Sequence, residues 1–234
     1  MKKYGQNQLI IGQKTSIKDW VFEVVKLNKI SKFLSVENLN RIIVVLSGTF
    51  LISLGLYLFL NSHLGLTPFT VMINGLTNTL GLTFGQTSII FKLTVIISFL
   101  LFTDKSFGIG TLINAVFVGL FVDLLTIIFG SFTPELLAVR IFVLSSAIVT
   151  VSAGIAIYVS EDMGEGAVEA IMMYVKSKTG FSVKAVRMSL DISFGALGFM
   201  LGSSLDPGTL VAAMAIGPVT QRVFGVISKV RANS

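Results

Sequence analysis

The sequence predicts an all-α polytopic membrane protein. Its six transmembrane helices form two inverted three-span repeats, each with a short re-entrant or interfacial helix. Three observations carry this expectation. The chain of 234 residues is 53% hydrophobic and only 13% charged, with mean hydropathy +0.86. A soluble domain carries about 25% charged residues. The stretch Ser106-x3-Gly110-Thr111-Leu112-x2-Ala115-x3-Gly119 recurs 98 residues later as Ser204-x3-Gly208-Thr209-Leu210-x2-Ala213-x3-Gly217, and such self-similarity marks a duplicated architecture. Each half also reads as long span, short segment, long span, tight turn, long span. Three crossings per half is an odd number, so the second half enters from the opposite side, the plan of many secondary transporters.

Taken in order, residues 1–40 form a basic cytoplasmic arm. Residues 1–15 hold no apolar signal-peptide core, so the first span is expected to act as the insertion signal. Over 17–34 the residues Ile17, Trp20, Val21, Val24, Val25 and Leu34 fall on one helical face, with Lys18, Lys26, Lys29 and Lys32 outside it. That pattern suits an amphipathic helix in the lipid headgroup layer, or one packed on the protein's own cytoplasmic face. Membrane repeat 1 covers 41–130, with spans at 41–62, 85–103 and 107–130. Membrane repeat 2 covers 137–228, with spans at 137–159, 184–202 and 206–226. The weaker segments 67–80 and 165–178 are too short to cross as helices.

The placement of charge orients the chain. Eight of the 18 Lys and Arg lie in residues 1–41, while the connections 63–84 and 131–136 hold none. Lys105, Lys176, Lys178, Lys184, Arg187, Lys229 and Arg231 fall on the same side as the arm when both termini are cytoplasmic. Arg140 is the exception. The basic arm therefore faces anionic lipid rather than nucleic acid. With no cysteine and one histidine, and no Walker A loop, no enzyme activity, metal or cofactor is expected.

Weaker identities extend the repeat at a 99-residue shift. Arg41-Ile42 meets Arg140-Ile141, Gly55 meets Gly154, Gly65 meets Gly164, and Gly81 meets Gly180. The Ala-x3-Gly pairs put small residues on one helix face, which lets membrane helices approach closely. The short segments lie at matching places in the two halves, and broken spans so placed point to a transporter site. Thr67 and Pro68 form a helix start in half one. Polar residues nearby are Asn61, His63, Thr67 and Asn74 in half one, and Glu165 and Glu169 in half two. A solvated cytoplasmic face is the plain alternative for the two glutamates, and an interfacial position for His63.

Charges within spans are costly, roughly 2.5 kcal/mol or more each at a helix centre. Lys92 and Asp191 are counterparts under the 99-residue shift. A Lys92–Asp191 pair across the pseudo-twofold axis would lower the cost of both, and a local Arg187–Asp191 pair is its competitor. Asp123 and Asn114 are candidates for lining an access path.

These motifs resemble the YczE/YitT/YyaS group of bacterial integral membrane proteins. The resemblance rests on Gly55-x9-Gly65-Leu66-Thr67-Pro68, on Leu80-Gly81-Leu82-Thr83-x-Gly85, and on Gly110-Thr111-Leu112-x-Asn114-Ala115-x3-Gly119-x3-Asp123, and covers residues 40–228. It implies a multi-pass protein of the bacterial inner membrane, with no secure activity attached.

The expected function is that of a small-molecule secondary transporter with its site near the midplane. Lys92, Asn114, Glu165, Glu169 and Asp191 would meet a cationic or zwitterionic solute, with Asp191 as the proton-coupling residue. A membrane substrate-binding subunit like that of energy-coupling-factor transporters is one alternative. A non-transporting assembly scaffold is the other, and a homodimer is compatible with each.

Overall fold

The computed structural model describes residues 36–103 and 107–232. The expected amphipathic helix over 17–34 lies outside them. From Ile42 onward the chain forms one compact unit.

Eight helices occupy the described residues: α1 Val36–Ser62, α2 Pro68–Leu80, α3 Phe84–Phe102, α4 Ile109–Phe129, α5 Leu137–Val159, α6 Ala167–Thr179, α7 Val183–Met200 and α8 Pro207–Ala232. Five are long and apolar enough to cross a membrane, within Leu39–Ser62, Phe84–Phe102, Ile109–Phe129, Leu137–Val159 and Pro207–Val230. The sixth expected span is α7. Its 18 residues include Lys184, Arg187 and Asp191, and at 1.5 Å per residue it reaches about 27 Å. It is the shortest of the six long helices and the one with the highest density of charge.

Local chemistry sets the helix ends. Thr67 caps α2 by accepting from Thr70 N, and Pro68 supplies the first turn without needing a donor there. Thr83 and Gln86 close a capping box on α3, and Ser182 caps α7. Both short helices have 13 residues and stop at a left-handed glycine, Gly81 with φ 66° and Gly180 with φ 71°.

The turns after α1 and α5 match in their unusual backbone angles. His63 and Asp162 have φ of 49° and 50°, and Gly65 and Gly164 have φ of 145° and 131°. Each pair is 99 residues apart. These turns send the chain from a long helix straight into a short one.

The helices α1 and α5 cross antiparallel in backbone contact. A Cβ on Gly48 would lie 2.9 Å from Gly154 O, and one on Gly154 would lie 2.7 Å from Gly48 O. One on Gly55 would lie 2.8 Å from Val151 N and 3.0 Å from Ala147 O. Under the 99-residue shift Gly48 becomes Ala147 and Gly154 becomes Gly55, so the first contact maps onto the last. Ser53 Oγ donates to Val118 O at 3.1 Å, joining α1 to α4, and Ser152 Oγ donates to Ile216 O at 3.4 Å, joining α5 to α8.

A core of Phe59, Leu66, Val71, Leu144, Ala147, Ile148, Val151 and Ala212 fills the space around this crossing. A second cluster of Met72, Ile73 and Phe194, flanked by Phe69, Phe91, Val168 and Leu190, lies where α2 and α7 meet.

Candidate functional site

The repeated Gly-Thr-Leu motif builds the walls of the site. At the start of α8, Gly208 N donates to Leu64 O at 2.8 Å, and Leu66 N donates to Thr209 Oγ1 at 3.3 Å. At the start of α4, Gly110 N donates to Met163 O at 2.9 Å, and Thr111 Oγ1 donates to Glu165 O at 2.6 Å. Each copy is thus stitched to the turn that starts the other half's short helix. Glycine is needed because the backbones touch: a Cβ on Gly208 would lie 2.9 Å from the Leu64 carbonyl carbon. The Tyr158 hydroxyl adds a bond to Gly164 O at 2.9 Å.

A line of alternating charge runs from a buried Lys92 to the exposed Glu169 and Arg187. Lys92 of α3 is buried, with 7% of its surface exposed. Its Nζ donates to Asn114 Oδ1 of α4 at 3.4 Å. Glu169, in the first turn of α6, acts electrostatically on Lys92. It also folds back over Gly166 at the uncapped start of its own helix, where the helix dipole favours negative charge. Arg187 Nη1 of α7 lies 4.0 Å from Glu169 Oε1, and its Nε lies 3.1 Å from Asp191 Oδ2. Lys92, Glu169, Arg187 and Asp191 therefore alternate in sign across three helices.

An aromatic group lies beside this line. Phe69 of α2 meets Phe91 of α3 and Phe194 of α7, with ring centroids 5.6 Å apart in both pairs. Val168 and Leu190 pack on the same cluster. These side chains neighbour the charges in sequence, Phe91 beside Lys92 and Val168 beside Glu169.

Of the residues singled out in the sequence, the structure gathers Lys92, Asn114, Glu169 and Asp191 around this line. A direct Lys92–Asp191 pair does not form. Arg187, one helical turn before Asp191, takes that carboxylate, and Lys92 turns to Asn114. Glu165 is exposed, and its carbonyl receives Thr111.

The others hold helix ends, turns and seams between helices. Asn61 is buried and accepts from Phe132 N at 2.7 Å, holding the turn between α4 and α5. His63 is exposed, with Nε2 3.0 Å from Thr133 Oγ1. Thr67 caps α2. Asn74 Nδ2 donates to Ser203 Oγ at 3.2 Å. Asp123 caps α3, accepting from Gly85 N at 2.8 Å and from the Thr83 hydroxyl. Arg140, the exception to the charge rule, donates to the carbonyls of Ser62 and His63 at the end of α1. Cations are favoured at such helix ends.

Sequence reasoning gave Arg187 only a competing role and passed over Phe69, Phe91 and Phe194. Arg187 had a legible signal, since it is the cation one helical turn before Asp191 on the same span. The phenylalanines had none, because Phe occurs 19 times in the chain. Among the described residues no three His, Cys, Asp or Glu side chains gather as a metal site.

Comparison with known proteins agrees with a membrane chain of this kind. A membrane protein of Bacillus subtilis, YczE, is 32% identical over 174 residues, spanning 73% of this chain and 79% of the relative. An uncharacterised protein of Haemophilus influenzae is 29% identical over 190 residues, 81% of this chain and 86% of its own. YyaS of Bacillus subtilis is 23% identical over 178 residues, 76% of this chain and 88% of its own. No solved structure matches significantly. The resemblance read from the motifs is thus supported by the alignments. Residues 39–224 match the family of unknown function DUF6198, and the chain, a membrane protein with several apolar helices, belongs to that family.

Proposed function

We propose that this protein is a small-molecule secondary transporter of the bacterial inner membrane, working by alternating access between two inverted halves. The observation that carries the reading is the buried Lys92, held by Asn114, together with the ion-paired chain Glu169–Arg187–Asp191. It is assembled from α3, α6 and α7, next to two short helices at matching places in the halves. A charge buried inside a membrane protein, as Lys92 is, is costly and marks a solute or proton pathway by default.

The inverted arrangement draws support from contacts that recur under the repeat shift. Gly110–Met163 matches Gly208–Leu64, and Ser53–Val118 matches Ser152–Ile216. The antiparallel crossing of α1 and α5 maps onto itself. In this reading α7 is the sixth span, both termini are cytoplasmic, and Lys92, Asn114, Glu169, Arg187 and Asp191 meet a cationic or zwitterionic solute. Asp191 carries the coupled proton, because its partner Arg187 is half-exposed and can release it.

The test begins with thermal unfolding of detergent-purified protein against a metabolite and vitamin library. Preferential binding to the folded state raises the unfolding temperature. Uptake of each stabilising solute into proteoliposomes is then followed with and without a pH gradient. Asp191→Asn is expected to abolish the pH dependence, and Lys92→Met to abolish uptake. Uptake that survives both unchanged sinks the reading. No stabilising solute together with a stoichiometric protein partner favours a scaffold instead.

A further inference from the structure

The two halves agree in their frame and disagree in one helix each. The contacts among α1, α4, α5 and α8 recur in both halves, as do the stitches at Gly110 and Gly208. The counterparts α3 and α7 are seated differently. In half one, α3 lies on its own half's last helix. A Cβ on Gly119 of α4 would meet Gly85 O and the Ile89 side chain, and Asp123 bonds across the seam. In half two the equivalent face of α8 is empty. Ala213 and Gly217 are exposed, and a Cβ on Gly217 would meet nothing within 4 Å. Only 6% of the α8 window is buried, against 39% for α4.

The helix missing from α8 lies instead on α2. A Cβ on Gly75 would lie 2.6 Å from Gly198 O, so the α2 and α7 backbones touch. Asn74 and Asn78 bond to Ser203 and Gly202 just beyond. Under the repeat shift Gly75 becomes Tyr174 and Gly198 becomes Phe99. Those two rings do meet, edge to face with centroids 5.3 Å apart, and hold α3 away from α6. A cavity of about 250 Å³ opens there, lined by Phe99, Thr103, Met173, Tyr174 and Ser177. One seam is a glycine clamp and its counterpart is an aromatic wedge.

We propose that α7 is the moving gate of this protein: clamped on α2 in the structure, it moves in a second state onto the empty Gly217 face of α8, as α3 sits on Gly119 of α4. The proposal rests on the transport reading for its purpose, since the movement carries Arg187 and Asp191 with it and opens the charged line along the α2 seam. The present state is then open at the α3–α6 wedge, the side bearing Lys176 and Lys178. Met188 stands where Ile89 does and would meet Gly217. Lys184 stands where Gly85 does, so that end of the seam closes less tightly, with the long side chain reaching to the membrane surface. Packed interfaces are bistable rather than continuously deformable, which makes this an exchange between two seats.

Disulfide trapping in native membranes tests this, since the chain has no cysteine of its own. The pair Asn74→Cys with Ser203→Cys reports the clamped state. The pair Met188→Cys with Gly217→Cys reports the second state, because a disulfide needs Cα atoms within about 7 Å. Both pairs are expected to form within one chain on mild oxidation. Adding Gly198→Leu, whose side chain would strike the α2 backbone, is expected to raise the yield of the second pair severalfold and lower that of the first. Gly75→Ala does the same more gently should the leucine prevent folding. If the first pair forms fully and the second never forms, with or without the destabilised clamp, α7 does not move and the proposal falls. It falls equally if the second pair links only two copies, which makes the α8 face an interface between chains. Both links with the expected response, but no solute that stabilises the protein, removes the transport reading and leaves the gate standing.

Discussion

The hydroxyl of Thr111 donates to the carbonyl of Glu165 at 2.6 Å, tying the fourth helix of one half to the short helix of the other. At the equivalent positions the direction reverses and the bond is longer: Leu66 N donates to Thr209 Oγ1 at 3.3 Å. A buried hydrogen bond contributes about 1 kcal/mol net, and an orphaned partner costs more. Thr111→Val should therefore lower stability by about 1–2 kcal/mol and Thr209→Val by less. Thermal unfolding in one detergent, with the two variants side by side, reads the difference. Equal losses would mean that the repeat, rather than bond geometry, sets the effect.

The crossing of α1 and α5 predicts a steep response at Gly154. Its missing side chain lets Gly48 O approach to within van der Waals contact, and the same atoms form the centre of the fold. Overpacking a tight contact costs roughly 1–3 kcal/mol even where side chains can yield, and here the obstacle is backbone. Gly154→Leu should leave little monodisperse protein on size exclusion. Gly217→Leu, on the open face of α8, should purify normally. Similar yields from the two would contradict the packing described.

Lys92 separates fold from function. Replacing a buried charge with a hydrophobic residue of similar volume is often neutral or stabilising. Lys92→Met should therefore keep or raise the unfolding temperature while removing solute response. Asn114→Leu keeps the ammonium and deletes its acceptor at 3.4 Å, so it should destabilise by about 1–3 kcal/mol. If Lys92→Met unfolds the protein and Asn114→Leu does not, Lys92 is a structural post.

Asp123 is expected to act on the start of α3 and not on solute movement. It accepts from Gly85 N and from the Thr83 hydroxyl. Loss of a helix cap costs about 0.5–2 kcal/mol. Asp123→Ala should lower stability in that range, and Asp123→Asn by less because one acceptor oxygen survives. Unchanged stability with altered uptake would return Asp123 to the access path expected from its place near the end of a span.

Much of the architecture was legible along the chain. Spans expected at 85–103 and 137–159 are the helices Phe84–Phe102 and Leu137–Val159. The short helices follow from Thr67-Pro68 and from the glycines Gly81 and Gly180, whose conformation few other residues adopt. The repeated Gly-Thr-Leu motif was legible too, because at Gly110 and Gly208 the backbones touch and only glycine fits. The site was legible only in part. Lys92, Glu169 and Asp191 stood out because charge is rare in apolar spans. Which cation meets which anion was not, because several partners lie within reach along the repeat and only side-chain geometry chooses among them.

Sequence by itself determined that this is a membrane chain with several apolar helices, since hydropathy, helix caps and glycine spacing are local or one-dimensional signals. Tertiary structure alone decided that Arg187 takes Asp191, that Asp123 and Arg140 serve helix ends, and that α7 sits on α2 while α3 sits on α4. Equivalent sequences can satisfy the same frame with their helices seated on either neighbour. The choice is made by how Gly75 and Gly198 interlock, and how Phe99 and Tyr174 refuse to, once the halves are packed together.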